Sequence, residues 1–196
     1  MAEEFYKGGY FDGKYITLDY LELVAKKGNE PSRFAIGDVD VAFDRTGKIA
    51  GLLTEINRYD ESGIEERAIR FLAQLDAWNW YCGEAMKRGD KYLLDVAVTK
   101  LILFSVRLIL LENRKFFPYH KWMLRVLEDV PVKPTGMIGA IDALLEEKTP
   151  ENIARLYEMV KNLRDWTNGR EYSWGSYHMK DVEMLWMRGE DYIENI

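Results

Sequence analysis

The first fifty residues alternate between apolar and polar positions, which is the pattern of strands that bury one face. In residues 14–23, Ile16, Leu18 and Tyr20 fall on one face. A second alternation covers residues 38–43. We therefore predict strands over both ranges. The other expected features are a tight turn over 11–14, a loop over 26–31 and a short apolar piece at 49–53.

From Gly63 onward, apolar residues recur every three or four positions, which predicts amphipathic helices. Gly89 is a typical helix terminator, and Asp90 is a typical cap for the helix that follows. Thr149 and Pro150 are a capping residue and a proline suited to the first helical position. The pattern predicts six helical segments, approximately over residues 64–86, 90–113, 119–128, 135–147, 149–167 and 180–192.

These elements predict an α+β protein that is mainly α, with a small partial antiparallel or mixed sheet at the N-terminus followed by a helical bundle. We expect the sheet within residues 1–58 and the helices within residues 59–196. So small a sheet exposes a hydrogen-bonding edge unless something pairs with it. The chain's own helices, a second copy of the chain or the rest of a longer protein would cover that edge, which we expect within residues 15–43.

The composition narrows the class of protein. Of 196 residues, 47% are hydrophobic and 13% aromatic, so we expect a sizeable core rather than disorder. The net charge of −6 argues against a nucleic-acid partner, because proteins that bind nucleic acids normally carry a basic excess. Cys82 is the only cysteine. Its apolar neighbours in the sequence favour a buried structural thiol over a nucleophile.

The most apolar stretch, residues 93–111, is interrupted by Asp95, Lys100 and Arg107. Such charges favour a buried helix over a membrane span. The first residues also lack the basic start and apolar run of a secretion signal. We therefore expect a cytoplasmic protein without a membrane partner.

A corner between two predicted helices gives the strongest chemical signal. Residues 113–122 are Asn-Arg-Lys-Phe-Phe-Pro-Tyr-His-Lys-Trp, and Pro118 suits a first helical turn. The corner holds four candidate anion ligands: Arg114, Lys115, His120 and Lys121. Cations beside a helix N-terminus attract phosphate or carboxylate, so we predict a small anionic ligand or nucleotide here. The alternative is a structural corner whose aromatic rings fill the core and whose cations are solvated.

Four segments of the chain, taken in order, resemble a known family. They are residues 8–21, 37–48, 87–90 and 113–122. Together they resemble the later two-thirds of bacterial nucleotidyltransferase-like proteins of the polymerase-beta superfamily, which carry a domain of unknown function behind the transferase core. The corner at residues 113–122 is the most specific part of the resemblance.

The resemblance implies a substrate- or nucleotide-binding helical portion. Members of the superfamily usually carry a Gly-Ser turn before an Asp-x-Asp pair that holds divalent metal against nucleotide phosphates, and a later strand adds a third carboxylate. In this chain Gly175-Ser176 lies near the C-terminus and precedes no such pair. Asp19 resembles the third carboxylate by position. The catalytic half is therefore expected to be missing, and the chain alone should not catalyse transfer.

Asp38-Val-Asp40 offers a rival interpretation, because residues two apart on a strand share one face. With Asp19, the pair would bind Mg²⁺ in an active nucleotidyltransferase, where two metal ions promote attack on a nucleotide α-phosphorus. Otherwise no cofactor is expected, and the two aspartates form the solvent face of an edge strand. A third possibility is a structural or interaction protein that oligomerises through its open sheet.

Two weaker candidates involve the histidines. His120 and His178 are the only two, and they lie far apart in the sequence, which gives a histidine-based metal site little support. Residues 174–178, Trp-Gly-Ser-Tyr-His, follow a polar loop and are a candidate cleft edge.

Overall fold

The computed structural model describes residues 2–189, without the side chains of residues 2–4 and 12. The chain divides into two compact units. The first unit runs up to Tyr59 and also includes Phe116–Pro118, and the second contains Asp60–Lys115 and the described residues from Tyr119 onward. The boundary predicted after residue 58 did not include the three later residues that group with the first unit.

The first unit contains a β-hairpin and three short helices: β1 Ala2–Tyr6, β2 Gly9–Gly13, α1 Leu18–Lys27, α2 Glu30–Gly37 and α3 Lys48–Asn57. The strands are antiparallel, and Tyr6 lies opposite Gly9. Gly8, in the turn between them, has a φ of 101°, a conformation that favours glycine. The prediction of a turn at 11–14 was therefore wrong, because most of that range belongs to β2.

Residues 14–23 do not form the predicted strand. Thr17 caps α1 by accepting a hydrogen bond from the backbone N–H of Tyr20 at 3.2 Å. Leu21 and Val24 are buried about one turn apart. Short apolar runs satisfy helical and alternating spacing equally well. The cap and the packing of α1 against α3 stabilise the helical conformation over the strand.

Residues 38–43 are not a strand either, but an irregular segment between α2 and α3. Phe43 is 72% exposed. The Oδ1 atom of Asp44 accepts hydrogen bonds from the N–H groups of Thr46 and Gly47 and so shapes the turn into α3, which contains the short apolar piece at 49–53. A lone strand has no ladder partner to stabilise it. The open sheet edge expected within 15–43 is thus absent from that range.

A small core and one arginine hold the helices of the first unit together. The buried core residues are Leu21, Val24, Leu53 and Ile56. The Arg33 guanidinium donates hydrogen bonds of 2.7–3.2 Å to four carbonyl oxygens, those of Ala25, Gly28, Glu55 and Ile56. The last carbonyls of a helix lack partners within it, so Arg33 joins the C-terminal ends of α1 and α3.

The second unit is a helical bundle of α4 Ile64–Arg88, α5 Lys91–Glu112, α6 Met123–Asp129, α7 Met137–Glu146, α8 Pro150–Lys161 and α9 Trp174–His178. Gly89 ends α4 in the left-handed conformation, and Asp90 caps α5 by accepting the N–H of Leu93 at 2.9 Å. Thr149 caps α8 in the same way. The predicted caps are confirmed, and so is the fold class, α+β and mainly α, with a small N-terminal sheet.

Long apolar helices build the core of the second unit. Leu72 and Leu75 of α4 and Leu101 and Ile109 of α5 are almost completely buried. Cys82 is buried as predicted, and burial raises the pKa of its thiol to about 12. Among the helices of residues 2–189, none combines the length and apolarity needed to cross a membrane.

Asp76 is the polar centre of the second unit and is only 8% exposed. Its two oxygens accept hydrogen bonds from the Lys161 ammonium at 2.7 Å each. The hydroxyls of Tyr157 and Tyr172 donate to it at 2.9 and 2.6 Å. Burial, together with the Asp76 carboxylate, raises the pKa of both tyrosines, so they remain donors. Asp76 therefore ties α4 to α8 and to the segment that follows α8.

No helix begins at Pro118, contrary to the prediction. Tyr119 has φ 67° and ψ 172°, and a 3₁₀ turn, His120–Trp122, precedes α6. These angles lie outside the helical region, so the helix starts only after Tyr119.

The C-terminal helix was predicted over residues 180–192. The described part of this range instead continues from α9 as a π-helical turn, Met179–Glu183, and a 3₁₀ turn, Leu185–Arg188. The rest of the predicted helix lies outside the described residues.

Candidate ligand-binding site

A cavity of about 680 Å³ lies along the α4–α5 hairpin, and we call it the hairpin cavity. Helix α4 contributes five lining residues: Arg67, Arg70, Phe71, Gln74 and Trp78. Helix α5 contributes another five: Tyr92, Val96, Lys100, Phe104 and Arg107. Successive steps of three or four residues place side chains on one face of a helix. Each helix therefore presents one stripe, and the π-helical turn adds Asp181 and Val182.

The lining of the hairpin cavity is cationic, with two arginines from α4, a lysine and an arginine from α5, and one carboxylate. That carboxylate, Asp181, accepts two hydrogen bonds from the Arg70 guanidinium, both at 2.9 Å. Its side chain is 13% exposed. A guanidinium matches carboxylate and phosphate in geometry. Arg70 thus already binds an anionic group of the shape that a ligand would present.

Aromatic rings form much of the remaining wall. The rings of Phe71 and Phe104 lie 6.3 Å apart, centroid to centroid. The Arg107 guanidinium lies 4.5 Å from the Phe71 centroid, within cation–π distance. Trp78 and Tyr92 complete the set of rings. Rings beside cations suit a ligand that has both a planar apolar part and an anionic group.

A buried polar pair, Gln74 and His178, supports this wall. The Nδ1 atom of His178 lies 2.9 Å from Oε1 of Gln74. The His178 ring lies 5.9 Å from the rings of both Trp78 and Tyr81. Burial lowers the pKa of His178. Because an amide oxygen can only accept, the hydrogen bond needs the proton on Nδ1, which donates to Gln74. The candidate cleft edge at 174–178 is therefore α9, and its last residue orients a side chain of the cavity wall.

The predicted corner is divided between the two units. Arg114 and Lys115 belong to the second unit, whereas Phe116–Pro118 group with the first. There the Glu30 carboxylate accepts the Phe117 N–H at 3.0 Å. The helix N-terminus expected at Pro118, which was part of the argument for an anion site, is absent.

Arg114 hydrogen-bonds to the C-terminal end of the helix that it follows, α5. Its guanidinium donates to the carbonyl oxygens of Leu111 and Glu112 at 3.2 and 3.0 Å, and it pairs with Glu61 at 3.1 Å. A neighbouring polar cavity of about 440 Å³ is lined by three arginines and three glutamates, so its charges balance.

The other three corner cations, Lys115, His120 and Lys121, are exposed. The Lys121 ammonium lies 5.3 Å from the centroid of the Trp122 ring. The role of the four corner residues in binding an anion stays a prediction.

The three candidate metal ligands are exposed residues of the first unit. Asp19 lies in the first turn of α1, where its charge suits the helix dipole. Asp38 follows the end of α2, and Asp40 lies in the irregular segment, so they do not share the predicted strand face. Within residues 2–189, no group of three or more His, Cys, Asp or Glu side chains is placed to hold a metal ion. The Mg²⁺ site stays a prediction.

The residues of the hairpin cavity were not predicted as a site. In the sequence, Lys100 and Arg107 are recognisable only as charges that interrupt an apolar helix. The sequence nevertheless contains a signal for this site. The two cations lie two helical turns apart on α5, and on α4 the aromatic residues Phe71 and Trp78, which accompany Arg67 and Arg70, have the same separation. The sequence did not reveal that the hairpin brings these stripes together.

The fold and the cavity define a mainly helical protein whose longest two helices form a cationic, aromatic-lined hairpin. Residues 34–123 match the family described as Domain of unknown function (DUF4037). This range contains α4, α5 and therefore ten of the twelve residues that line the cavity. It ends before His178 and Asp181. No curated protein and no solved structure shows a significant match to the chain.

Proposed function

We propose that the second unit binds a small organic anion in the hairpin cavity. The observation that carries this proposal is the set of four cations and four aromatic rings on two adjoining helix faces, with Asp181 as the one carboxylate among the lining residues. Apolar walls strengthen the attraction between opposite charges by lowering the local dielectric. Because the chain as a whole has a net charge of −6, a local cationic site favours a small ligand over a polyanion.

A nucleotide or a phosphorylated acceptor is the ligand class that we propose. The resemblance to nucleotidyltransferase-like proteins supports it, and so does the chemistry of the cavity. A phosphate group suits Arg70, Lys100 and Arg107, while a planar base suits the rings. In this proposal the chain is the substrate- or nucleotide-binding helical portion of such a protein and is not catalytic by itself.

Calorimetric titration with ATP and with pyrophosphate tests the proposal. Lys100→Ala and Arg107→Ala should each weaken binding about tenfold or more, because a charge-assisted hydrogen bond contributes roughly 1.5–3 kcal/mol. Arg155→Ala is the matched control, since it removes one positive charge from an exposed position on α8 and should leave the affinity unchanged.

The same titration separates the cavity from the corner. If Arg114→Ala and Lys121→Ala bind like the wild type while both cavity variants bind weakly, the anion site is the hairpin cavity. Weaker binding in the corner variants alone would show that the anion site is at the corner. Undetectable binding at millimolar ligand would overturn anion binding at both places.

An active Mg²⁺-dependent nucleotidyltransferase that uses Asp19, Asp38 and Asp40 is the alternative. The lack of a Gly-Ser turn before an Asp-x-Asp pair argues against it, as do the exposed positions of the three aspartates. We expect no pyrophosphate release from nucleoside triphosphates in the presence of Mg²⁺. Release that disappears in Asp38→Asn or Asp40→Asn would establish the enzyme.

The hairpin of β1 and β2 supports a second candidate, an interaction role. The sheet of the described chain has only these two strands, so its outer edges carry unpaired backbone groups. Phe5, Tyr6, Tyr10 and Phe11 are each more than half exposed. We propose that a second copy of the chain pairs with this edge. Sedimentation should then show a dimer that Phe5→Lys dissociates, and a wild-type monomer at micromolar concentration would rule this out.

A further inference from the structure

Two neutral side chains in the wall of the hairpin cavity, Gln74 and Trp78, each carry a buried donor atom that makes no hydrogen bond in the described chain. Gln74 and Trp78 lie one turn apart on α4, and both line the cavity. The Nε2 atom of Gln74 and the Nε1 atom of Trp78 are buried, and neither makes a hydrogen bond within the described chain. Buried donors in folded proteins are normally paired, and an unpaired donor destabilises the fold. The two donors therefore need an explanation.

The amide of Gln74 is held in one orientation. Its Oε1 accepts the hydrogen bond from His178 at 2.9 Å, and the two side chains are only 4% and 5% exposed. The imidazole is itself enclosed by the rings of Trp78 and Tyr81. With Oε1 on His178, the N–H₂ group of Gln74 is the end without a partner in the described chain. His178 is thus a positioning residue for Gln74.

We infer that Gln74 and Trp78 donate hydrogen bonds to a heteroaromatic ring of the anionic ligand, and so select a ring whose edge carries acceptor atoms. This inference rests on the proposed function and names the ligand more narrowly. The anionic group binds Arg70, Lys100 and Arg107 while the ring lies among the aromatic side chains. A nucleoside monophosphate, whose base edge carries carbonyl oxygens or ring nitrogens, has both features.

The selectivity follows from the cost of leaving donors unpaired. A ligand that supplies acceptors satisfies both buried N–H groups, whereas a ring without acceptors leaves them buried and unsatisfied. Sites built in this way reject analogues that lack the matching polar atoms much more strongly than purely apolar sites do. The hairpin cavity should therefore separate a nucleotide from a phosphate ester that carries only a hydrocarbon ring.

Three probes test this in titrations of the full chain. Uridine monophosphate has the anion and an acceptor-bearing ring, phenyl phosphate has the anion and a plain ring, and ribose 5-phosphate has no aromatic ring. We expect uridine monophosphate to bind at least about tenfold more tightly than phenyl phosphate, which is the scale of one hydrogen bond. Ribose 5-phosphate should bind more weakly than uridine monophosphate.

Variants then identify the donors. Trp78→Phe keeps an aromatic ring but removes the N–H, and Gln74→Leu keeps the approximate size but removes the amide. Each should lower the affinity for uridine monophosphate about tenfold while the affinity for phenyl phosphate stays the same. Trp80→Phe is the matched control, because Trp80 lies on the same helix, is 46% exposed and does not line the cavity.

The outcomes distinguish the inference from the function on which it rests. The probes could bind through Lys100 and Arg107 while the ratio of the affinities for uridine monophosphate and phenyl phosphate is unchanged in Trp78→Phe. In that case the donors do not contact the ring, and this inference fails while the proposed function stands. If no probe binds, both fail. Should Gln74→Leu not fold, Trp78→Phe with its Trp80→Phe control still decides.

Discussion

The two units are each held together by a polar side chain, but the two side chains carry opposite charges. In the first unit, Arg33 donates to carbonyl oxygens at the ends of two helices. In the second, the Asp76 carboxylate accepts from a lysine and two tyrosines. Arg33 accompanies a core of four buried residues, whereas Asp76 lies within a bundle of long apolar helices. A large apolar core gives the second unit the stability to carry a cavity lined by like charges.

The cavities of the two units also differ, in the polarity of their linings. The first unit has a groove of about 700 Å³ with a mainly apolar lining that includes Ile16, Leu18, Ile36 and Leu53. The hairpin cavity has nearly the same volume but is lined by cations and rings. Apolar contact has no direction, so the groove specifies little about an occupant. Charges and hydrogen-bond donors have direction, and for that reason only the hairpin cavity indicates a class of ligand.

Loss of the Asp76 carboxylate should have the largest effect. Asp76→Ala leaves Lys161 and two tyrosine hydroxyls without their acceptor, and breaking such a buried pair costs about 3–5 kcal/mol. Urea denaturation measures the loss. Asp142→Ala, which removes an exposed carboxylate on α7, should stay within about 0.5 kcal/mol of the wild type. A similar small loss in both variants would show that Asp76 does not hold the bundle together.

Loss of the Arg33 guanidinium should have the second largest effect. Arg33→Ala removes four hydrogen bonds to helix-end carbonyls and should destabilise the first unit by roughly 1–3 kcal/mol. Amide hydrogen exchange across α1–α3 measures this locally. Arg58→Ala is the control, because the Arg58 side chain makes an exposed pair with Glu55. Unchanged protection in Arg33→Ala would mean that the four core residues suffice.

Removal of the internal anion should strengthen ligand binding modestly. Asp181→Asn takes away the carboxylate that competes with a ligand for Arg70, whose side chain is 45% exposed. Ion pairs that solvent reaches contribute about 0.2–1 kcal/mol. Pyrophosphate should bind up to about fivefold more tightly. Glu183→Gln makes the same change of charge in the same π-helical turn and should have a smaller effect. Weaker binding in Asp181→Asn would show that Asp181 organises the site rather than competing for it.

The smallest expected effect is on the pH dependence of stability. Burial lowers the pKa of His178 below its ordinary value of 6.5, although Asp181 and Glu183 oppose the shift. Below pH 6.5 the unfolded chain therefore binds more protons at this residue, and the free energy of unfolding should fall as the pH falls. His178→Gln should reduce that slope, and His120→Gln, at an exposed position, should not. Equal slopes in the wild type and His178→Gln would contradict this.

The sequence predicted the second unit better than the first. Helices α4 and α5 and the caps Asp90 and Thr149 were correct, because long periodic runs and caps are local features. Residues 14–23 and 38–43 were wrongly predicted as strands. Short alternating runs carry no comparable local information, and their structure depends on neighbours that the sequence does not identify.

The candidate site shows the same limit. The corner at 113–122 stood out in the sequence because its cations and aromatics are adjacent, yet its residues fall in different units. The hairpin cavity did not stand out, because its residues are spread along α4 and α5 and along a turn a hundred residues away. Arg70 and Asp181 are 111 positions apart, and Gln74 and His178 are 104 apart.

By itself, the sequence determined the mainly helical class, the lengths and caps of the long helices and the burial of Cys82. Hydrophobic periodicity and capping act within a few residues, so these features can be predicted along the chain. Only the tertiary structure decided that residues 18–27 are helical, that Arg33 and Asp76 are polar centres, and that cations, rings and buried donors meet in one cavity. Each of these depends on contacts between residues distant in the chain, and no local pattern records which helix faces will meet.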